Sequence, residues 1–201
     1  MEKKIIIRSG NLELEGLLNE KSGKNSVVIT HPHPLYGGDM YNPVVEAIAR
    51  AYLKRGFTTL CFNFRGTGKS MGTHDNGNGE QQDVKSVIDF LSDRKYNRID
   101  LAGYSFGAWV NALSSQSFTL DNRMTMVSPP VAFIDFKEGL NLSGLQYVVT
   151  GTEDEIAPHH LVGKMMRKWN QDAVFETIDG ADHFFLGFLD QLTDQVAANI
   201  D

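Results

Sequence analysis

The chain has 201 residues, 41% hydrophobic and 22% charged, a balance that excludes a disordered polypeptide and fits one globular domain spanning 1–201. Its 19 Lys and Arg against 25 Asp and Glu leave a net charge of −6, which argues against nucleic acid or an anionic membrane surface as partner. The single cysteine, Cys61, can form no internal disulfide, MEKKIII is too short an apolar run for a secretory signal, and nothing approaches a membrane span, so the expected compartment is cytoplasmic.

The first segment, IIIRSGNLELEGLL, alternates apolar and polar residues about Ser9-Gly10-Asn11 and predicts a β-hairpin. SVVIT is a β-branched run of the kind buried on both faces of a parallel sheet. Residues 41–55 place Val44, Ala47, Ile48, Ala51 and Tyr52 at helical spacing and stop at Gly56. FTTLCFNF is a second buried strand, with Cys61 a small hydrophobe inside it. Residues 80–94 carry Val84, Val87, Ile88 and Leu91 on one helical face. RIDLAGY predicts a third strand, SFGAWVNALSSQ a helix, RMTMVSPP a fourth strand, LQYVVTG a fifth and AVFETIDG a sixth. A helical tail is expected from about residue 184. Met165, Met166 and Trp169 suit the core face of a helix whose start holds an exposed His159 and His160. Residues 72–79, GTHDNGNG, are too rich in Gly and Asn for helix or strand. Between SPP and LQYVVTG there is room for one or two helical turns and no substantial lid.

Strands alternating with helices predict an α/β architecture: a mostly parallel twisted sheet, helices on both faces, and an N-terminal antiparallel hairpin. Ligands bind such sheets outside the carboxyl ends of the strands. There the third strand runs into Gly103-Tyr104-Ser105-Phe106-Gly107 and then a helix, the G-x-S-x-G pattern in its strand–turn–helix context. Glycine two residues either side of the serine relieves the crowding of so sharp a turn. Taken alone, the pattern also suits a tight turn whose serine merely caps the helix.

From about residue 26 to residue 187 the chain resembles the alpha/beta-hydrolase family, in its small branch without a lid, on the strand–helix order and on GYSFG. The resemblance implies a serine nucleophile at Ser105, then an acid, then a histidine, each at the end of a different strand. Between Ser105 and the last strand the one good source of an acid is Gly151-Thr152-Glu153-Asp154-Glu155, where all three carboxylates also suit a solvated, helix-capping turn. The G-x-x-D spacing resembles the family's acid loop and implies Asp154. His183, just past the sixth strand, stands where the family keeps its general base.

Acylation of a serine needs two donors for the oxyanion. The N–H of Phe106 is one. The other falls in His31-Pro32-His33-Pro34-Leu35-Tyr36-Gly37-Gly38, which departs from the HGGG-type loop of many esterases. Pro32 and Pro34 have no N–H, which leaves His33 first and Leu35 next. The alternation His31, His33 could hold a metal, but the prolines favour a stiffened wall with an imidazole bonded to loop backbone. Residues 66–70, Gly-Thr-Gly-Lys-Ser, mimic the end of a phosphate-binding loop; Asn63 stands where its first glycine belongs, and Met71-Gly72-Thr73 cannot open the required helix. In the family this stretch braces the site, which gives Arg65, with Leu35 and Tyr36, a place at the substrate wall; Phe106, Phe133 and Phe136 are further apolar candidates. The expected activity is hydrolysis of small or medium acyl esters or thioesters through an acyl-serine, with a small-molecule acyl substrate and neither cofactor nor metal. The alternatives are an acyl transferase, a small peptidase, or a non-hydrolytic binding protein on this fold.

Overall fold

A computed structural model describes residues 2–117, 123–136 and 139–200. The N-terminal ribbon is β1 (Glu2–Ser9) and β2 (Leu12–Asn19), joined by the two-residue turn Gly10-Asn11 with Gly10 at φ +59°. Then come β3 (Asn25–Thr30), α1 (Pro43–Lys54), β4 (Thr58–Phe62), α2 (Asn78–Ser92), β5 (Arg98–Tyr104), α3 (Phe106–Ser114), β6 (Met124–Val127), β7 (Leu145–Gly151), α4 (His159–Trp169), β8 (Val174–Ile178) and α5 (Leu189–Ala198). The sheet order is β1-β2-β4-β3-β5-β6-β7-β8. The pairs β1–β2 and β2–β4 are antiparallel and all the others parallel, as the alternating pattern predicts.

Side chains of a strand alternate between faces, and this splits the core in two. Val27, Ile29, Cys61, Ala102 and Tyr104 pack under α1 and α5, whereas Val28, Leu60 and Leu101 pack under α2, α3 and α4. Strands covered on both faces must be apolar on both, which is why SVVIT and TTLCF lack alternation. Cys61 is a buried free thiol, its pKa pushed up to about 12 by burial.

Three boundaries differ from the sequence pattern. Helix α2 starts at Asn78, inside the glycine-rich stretch, because Glu80 reaches back to the Gly77 N–H at 2.8 Å and the Asp75 N–H at 2.9 Å and supplies the cap that the glycines lack. Helix α5 starts at Leu189, since residues 184–188 are turns with Phe185 at φ +53°. The described residues of 131–144 form turns rather than the expected helical turns, anchored by Phe133 and Ile134 N–H bonds to the Pro130 carbonyl. Among the described residues, no helix is long and apolar enough to cross a membrane.

Candidate active site

The strand β5 lies between β3 and β6, so the residue that follows it emerges at the middle of the sheet's carboxyl edge. That residue is Ser105, at φ +54° and ψ −120°, a region a non-glycine residue rarely occupies. Its flanking glycines are sterically required. A Cβ on Gly103 would stand 2.6 Å from the Ala108 nitrogen, and one on Gly107 would stand 2.6 Å from the Thr30 carbonyl oxygen. Ser105 precedes α3 but its side chain makes no capping bond, so the helix-cap reading fails. Its Oγ lies instead 3.0 Å from His183 Nε2.

The other two members arrive on adjoining strand ends. The loop after β8 is laced to the loop after β7 by Thr152 N–H to Ile178 O and Glu153 N–H to Ala181 O, both 3.0 Å. Gly151 permits this approach, because a Cβ there would overlap the Ala181 carbonyl. His183 Nδ1 consequently lies 3.0 and 2.9 Å from the two oxygens of Asp154. Those partners assign the tautomer: Nδ1–H donates to Asp154, and Nε2 is left to accept from Ser105. Asp154 also accepts from the N–H groups of Ile156 (2.9 Å) and Ala157 (2.7 Å) and from the Thr150 hydroxyl (3.1 Å). Burial works against its charge, yet the bond and charge of His183 and the Ala157 N–H outweigh burial and hold its pKa below the usual carboxylate range. Ser105, Asp154 and His183 are all buried, whereas Glu153 and Glu155 point to solvent. The geometry therefore brings together the three residues named from the sequence and leaves out the rival carboxylates.

In the loop after β3, His33 opens a short 3₁₀ turn, Pro34–Tyr36, and its Nδ1 accepts the Leu35 N–H at 3.2 Å. Leu35 is thus committed inside the loop, whereas the His33 N–H has no partner among the described residues. Phe106 begins α3, where first-turn N–H groups are unpaired and the helix dipole favours an anion. The rings of His33 and Phe106 lie 4.7 Å apart. Burial holds the His33 pKa down, assisted by His74 and opposed by Glu80. His31 takes the loop-backbone role expected of an imidazole there: Nδ1–H donates to the Pro32 carbonyl at 2.7 Å and Nε2 accepts the Phe64 N–H at 3.0 Å.

The substrate-wall residues divide. Leu35, Tyr36 and Phe133 are strongly exposed. The Arg65 guanidinium is engaged by Asp83 in a two-point pair, Nε–Oδ2 3.0 Å and Nη2–Oδ1 2.7 Å, and Asp83 also accepts the Ser9 hydroxyl at 2.8 Å, an arrangement that suits a brace. Phe136 is buried with its ring 4.7 Å from that of Trp169, and Phe106 is buried among His33, Phe64, His74 and Trp109. Both are core. The Gly-Thr-Gly-Lys-Ser stretch opens no helix and folds onto β2. Glu15 Oε1 accepts the Lys69 N–H at 2.5 Å and the Asn63 amide at 2.8 Å, the Ser70 hydroxyl accepts the Glu15 N–H at 3.0 Å, and Asn63 Oδ1 accepts the Met40 N–H at 2.8 Å.

Two partners were not legible beforehand. Asp83 sits on the inner face of α2, and a carboxylate among Val84 and Val87 was the available signal. Tyr104, between the nucleophile and its glycine, donates its hydroxyl to the His183 carbonyl at 2.8 Å; nothing in the sequence marked it.

With this geometry in hand, residues 17–177 match the family described as X-Pro dipeptidyl-peptidase (S15 family). The chain belongs to that family. It is 32% identical over 184 residues to the uncharacterized protein RP471 of Rickettsia prowazekii (strain Madrid E), covering 86% of this chain and 77% of that one. An alpha-beta serine hydrolase homologue from Coxiella burnetii superposes with a TM-score of 0.91 at 33% identity, over 99% of this chain and 97% of the other. XC6422 from Xanthomonas campestris, an alpha/beta serine hydrolase without a lid, gives a TM-score of 0.87 at 27% identity, over 98% and 93%. The family fold is thus that of the alpha/beta hydrolases, and the expected hydrolase class holds.

Proposed function

We propose that the protein hydrolyses small or medium acyl esters or thioesters through a covalent acyl-Ser105 intermediate. The observation that carries this reading is the unbroken hydrogen-bonded chain from Ser105 Oγ through His183 to Asp154. In the first step His183 Nε2 takes the hydroxyl proton as Oγ attacks the acyl carbon. Asp154 keeps the imidazole in its tautomer and stabilises the imidazolium. The N–H groups of Phe106 and His33 receive the oxyanion. Collapse of the tetrahedral adduct expels the alcohol or thiol, protonated by His183, and water then releases the acid by the same steps in reverse order.

Support for an apolar acyl group comes from the rim. Leu35 and Tyr36 after β3, Phe133 after β6, and Phe184 and Leu186 after β8 are 65–88% exposed, and all leave carboxyl-end loops around Ser105. Large apolar side chains collected on one edge mark a contact surface more often than scattered ones do. Labelling by a fluorophosphonate probe tests the nucleophile: wild type should be labelled stoichiometrically and Ser105→Ala not at all. An unlabelled wild-type protein would leave a binding protein on a hydrolase fold.

The family description favours a second reading, a peptidase acting beside proline. It uses the same three residues and differs in the leaving group. Turnover of p-nitrophenyl butyrate above that of an X-Pro-p-nitroanilide supports the ester reading; the reverse order assigns the protein to peptide cleavage.

A further inference from the structure

Residues 72–77 lie between β4 and the start of α2, and the proposed reaction gives them no task. They are nonetheless wound around one carboxylate. Glu80, wholly buried, accepts the N–H groups of Asp75 and Gly77, and its Oε1 lies 2.9 Å from Nδ1 of His74. Gly77 permits the winding: a Cβ there would stand 2.3 Å from the Trp109 ring. The His74 side chain is nine-tenths buried, and its ring lies 4.9 Å from that of His33 and 5.5 Å from that of Phe106. Since the His33 and Phe106 rings are themselves 4.7 Å apart, the three form a closed triangle. On its other sides Phe106 meets Phe64 at 5.8 Å and Trp109 at 5.5 Å.

Two corners of that triangle carry the candidate oxyanion donors. They come from separate elements, the loop after β3 and the first residue of α3, and the separation of their N–H groups depends on how those elements pack. Oxyanion donors must sit about 2.7–3.1 Å from the developing charge, and a displacement of about 1 Å costs on the order of 100-fold in rate. We propose that His74, held by Glu80, is a positioning residue that fixes the spacing of the Phe106 and His33 N–H groups. The inference rests on the hydrolase reading above. It assigns His74 no contact with substrate; the imidazole acts as a wedge packed against a buried carboxylate.

The test uses the full-length protein with His74→Ala, His74→Phe and Glu80→Gln. The readouts are kcat and KM on p-nitrophenyl butyrate and the affinity of a trifluoromethyl ketone, whose serine adduct carries an oxyanion. His74→Ala should lower kcat about 10- to 100-fold with KM changed less than about threefold, and should weaken the ketone by the same factor as kcat. His74→Phe keeps a ring in the wedge and should recover most of both. Glu80→Gln loosens the hold on the ring and should fall between. Wild-type kcat in the alanine variant overturns the proposal, as does a loss of kcat with undiminished ketone affinity, or a folded phenylalanine variant that recovers nothing. If His74→Ala does not fold, Glu80→Gln is judged by the same criteria. The two readings fail separately: an unlabelled wild-type Ser105 sinks the hydrolase, whereas normal labelling with unaffected variants sinks only the role of His74.

Discussion

Acid should weaken this protein through His31 in particular. The imidazole is wholly buried, donates through Nδ1 to the Pro32 carbonyl, and accepts the Phe64 N–H through Nε2. Protonation would turn Nε2 into a donor facing another donor in a fully buried place. Burial is the main cause that holds its pKa down to about 4; the Pro32 carbonyl opposes it and His33 adds to it. In the unfolded chain the same group titrates near about 6.5. The unfolded chain thus takes the proton first. The contribution of His31 is intact above about pH 6.5, declines by about 1.4 kcal/mol per pH unit below it, and is fully lost below about pH 4. The window of about 2.5 units corresponds to a loss of about 3 kcal/mol, a large share of the 5–15 kcal/mol by which a domain of roughly this kind is usually stable. Urea unfolding at pH 7, 6, 5 and 4.5 for wild type and His31→Gln measures it, because glutamine can accept the Phe64 N–H without titrating. Between pH 6 and 4.5 the wild-type stability should fall more steeply than the variant's, by close to one proton. Carboxylates such as Asp154 act alike in both proteins and cancel in the comparison. Parallel slopes would refute the argument, as would a native His31 resonance titrating near pH 6.5.

Removing either Ser105 or His183 by alanine substitution should cost at least about 10³ in turnover, and the double variant little more, since the residues act as a unit; steady-state kinetics on p-nitrophenyl butyrate decides it. Asp154→Asn should cost a comparable factor by presenting the wrong tautomer, whereas Glu153→Gln, altering an exposed carboxylate, should stay within about twofold; equal damage from both would reassign the acid. Tyr104→Phe keeps a ring 5.3 Å from the His183 imidazole but loses the 2.8 Å bond to its carbonyl, so kcat should fall by about 3- to 10-fold with one hydrogen bond's worth of positioning lost, while thermal unfolding shifts by only a few degrees. Gly107→Ala drives a methyl to 2.6 Å from the Thr30 carbonyl, and should destabilise by about 1–3 kcal/mol or more, read as a lowered Tm.

Where chemistry and chain geometry coincide, the sequence was readable. Gly103 and Gly107 either side of Ser105 declare a strained turn because a Cβ at either glycine would clash, and SVVIT declares a buried strand because both its faces are covered. His183 and Asp154 became legible through their order along the chain and the strand ends that carry them. What stayed hidden depends on side chains reaching across the fold. No spacing rule shows that Arg65 meets Asp83, that Glu80 starts α2 two residues early, or that Tyr104 hangs from the His183 carbonyl. Phe136 and Phe106 looked like wall residues because an aromatic near a site is ambiguous until its neighbours are known; Trp169 and His33 cover them. The loop's prolines already ranked His33 ahead of Leu35 as donor; what only coordinates add is that the Leu35 N–H bonds to the His33 ring.

The N-terminal ribbon has a consequence for anyone who would shorten this chain. It looks like trim along the outer margin, yet Ser9 bonds to Asp83, Glu13 accepts the Met71 N–H, and Glu15 grips Asn63 and Lys69. Those are the stays that keep the stretch from Arg65 to His74 pressed down beside the nucleophile. Deleting the first 19 residues would bare the margin of β4 and, at the same stroke, cut loose the ground on which His74 stands.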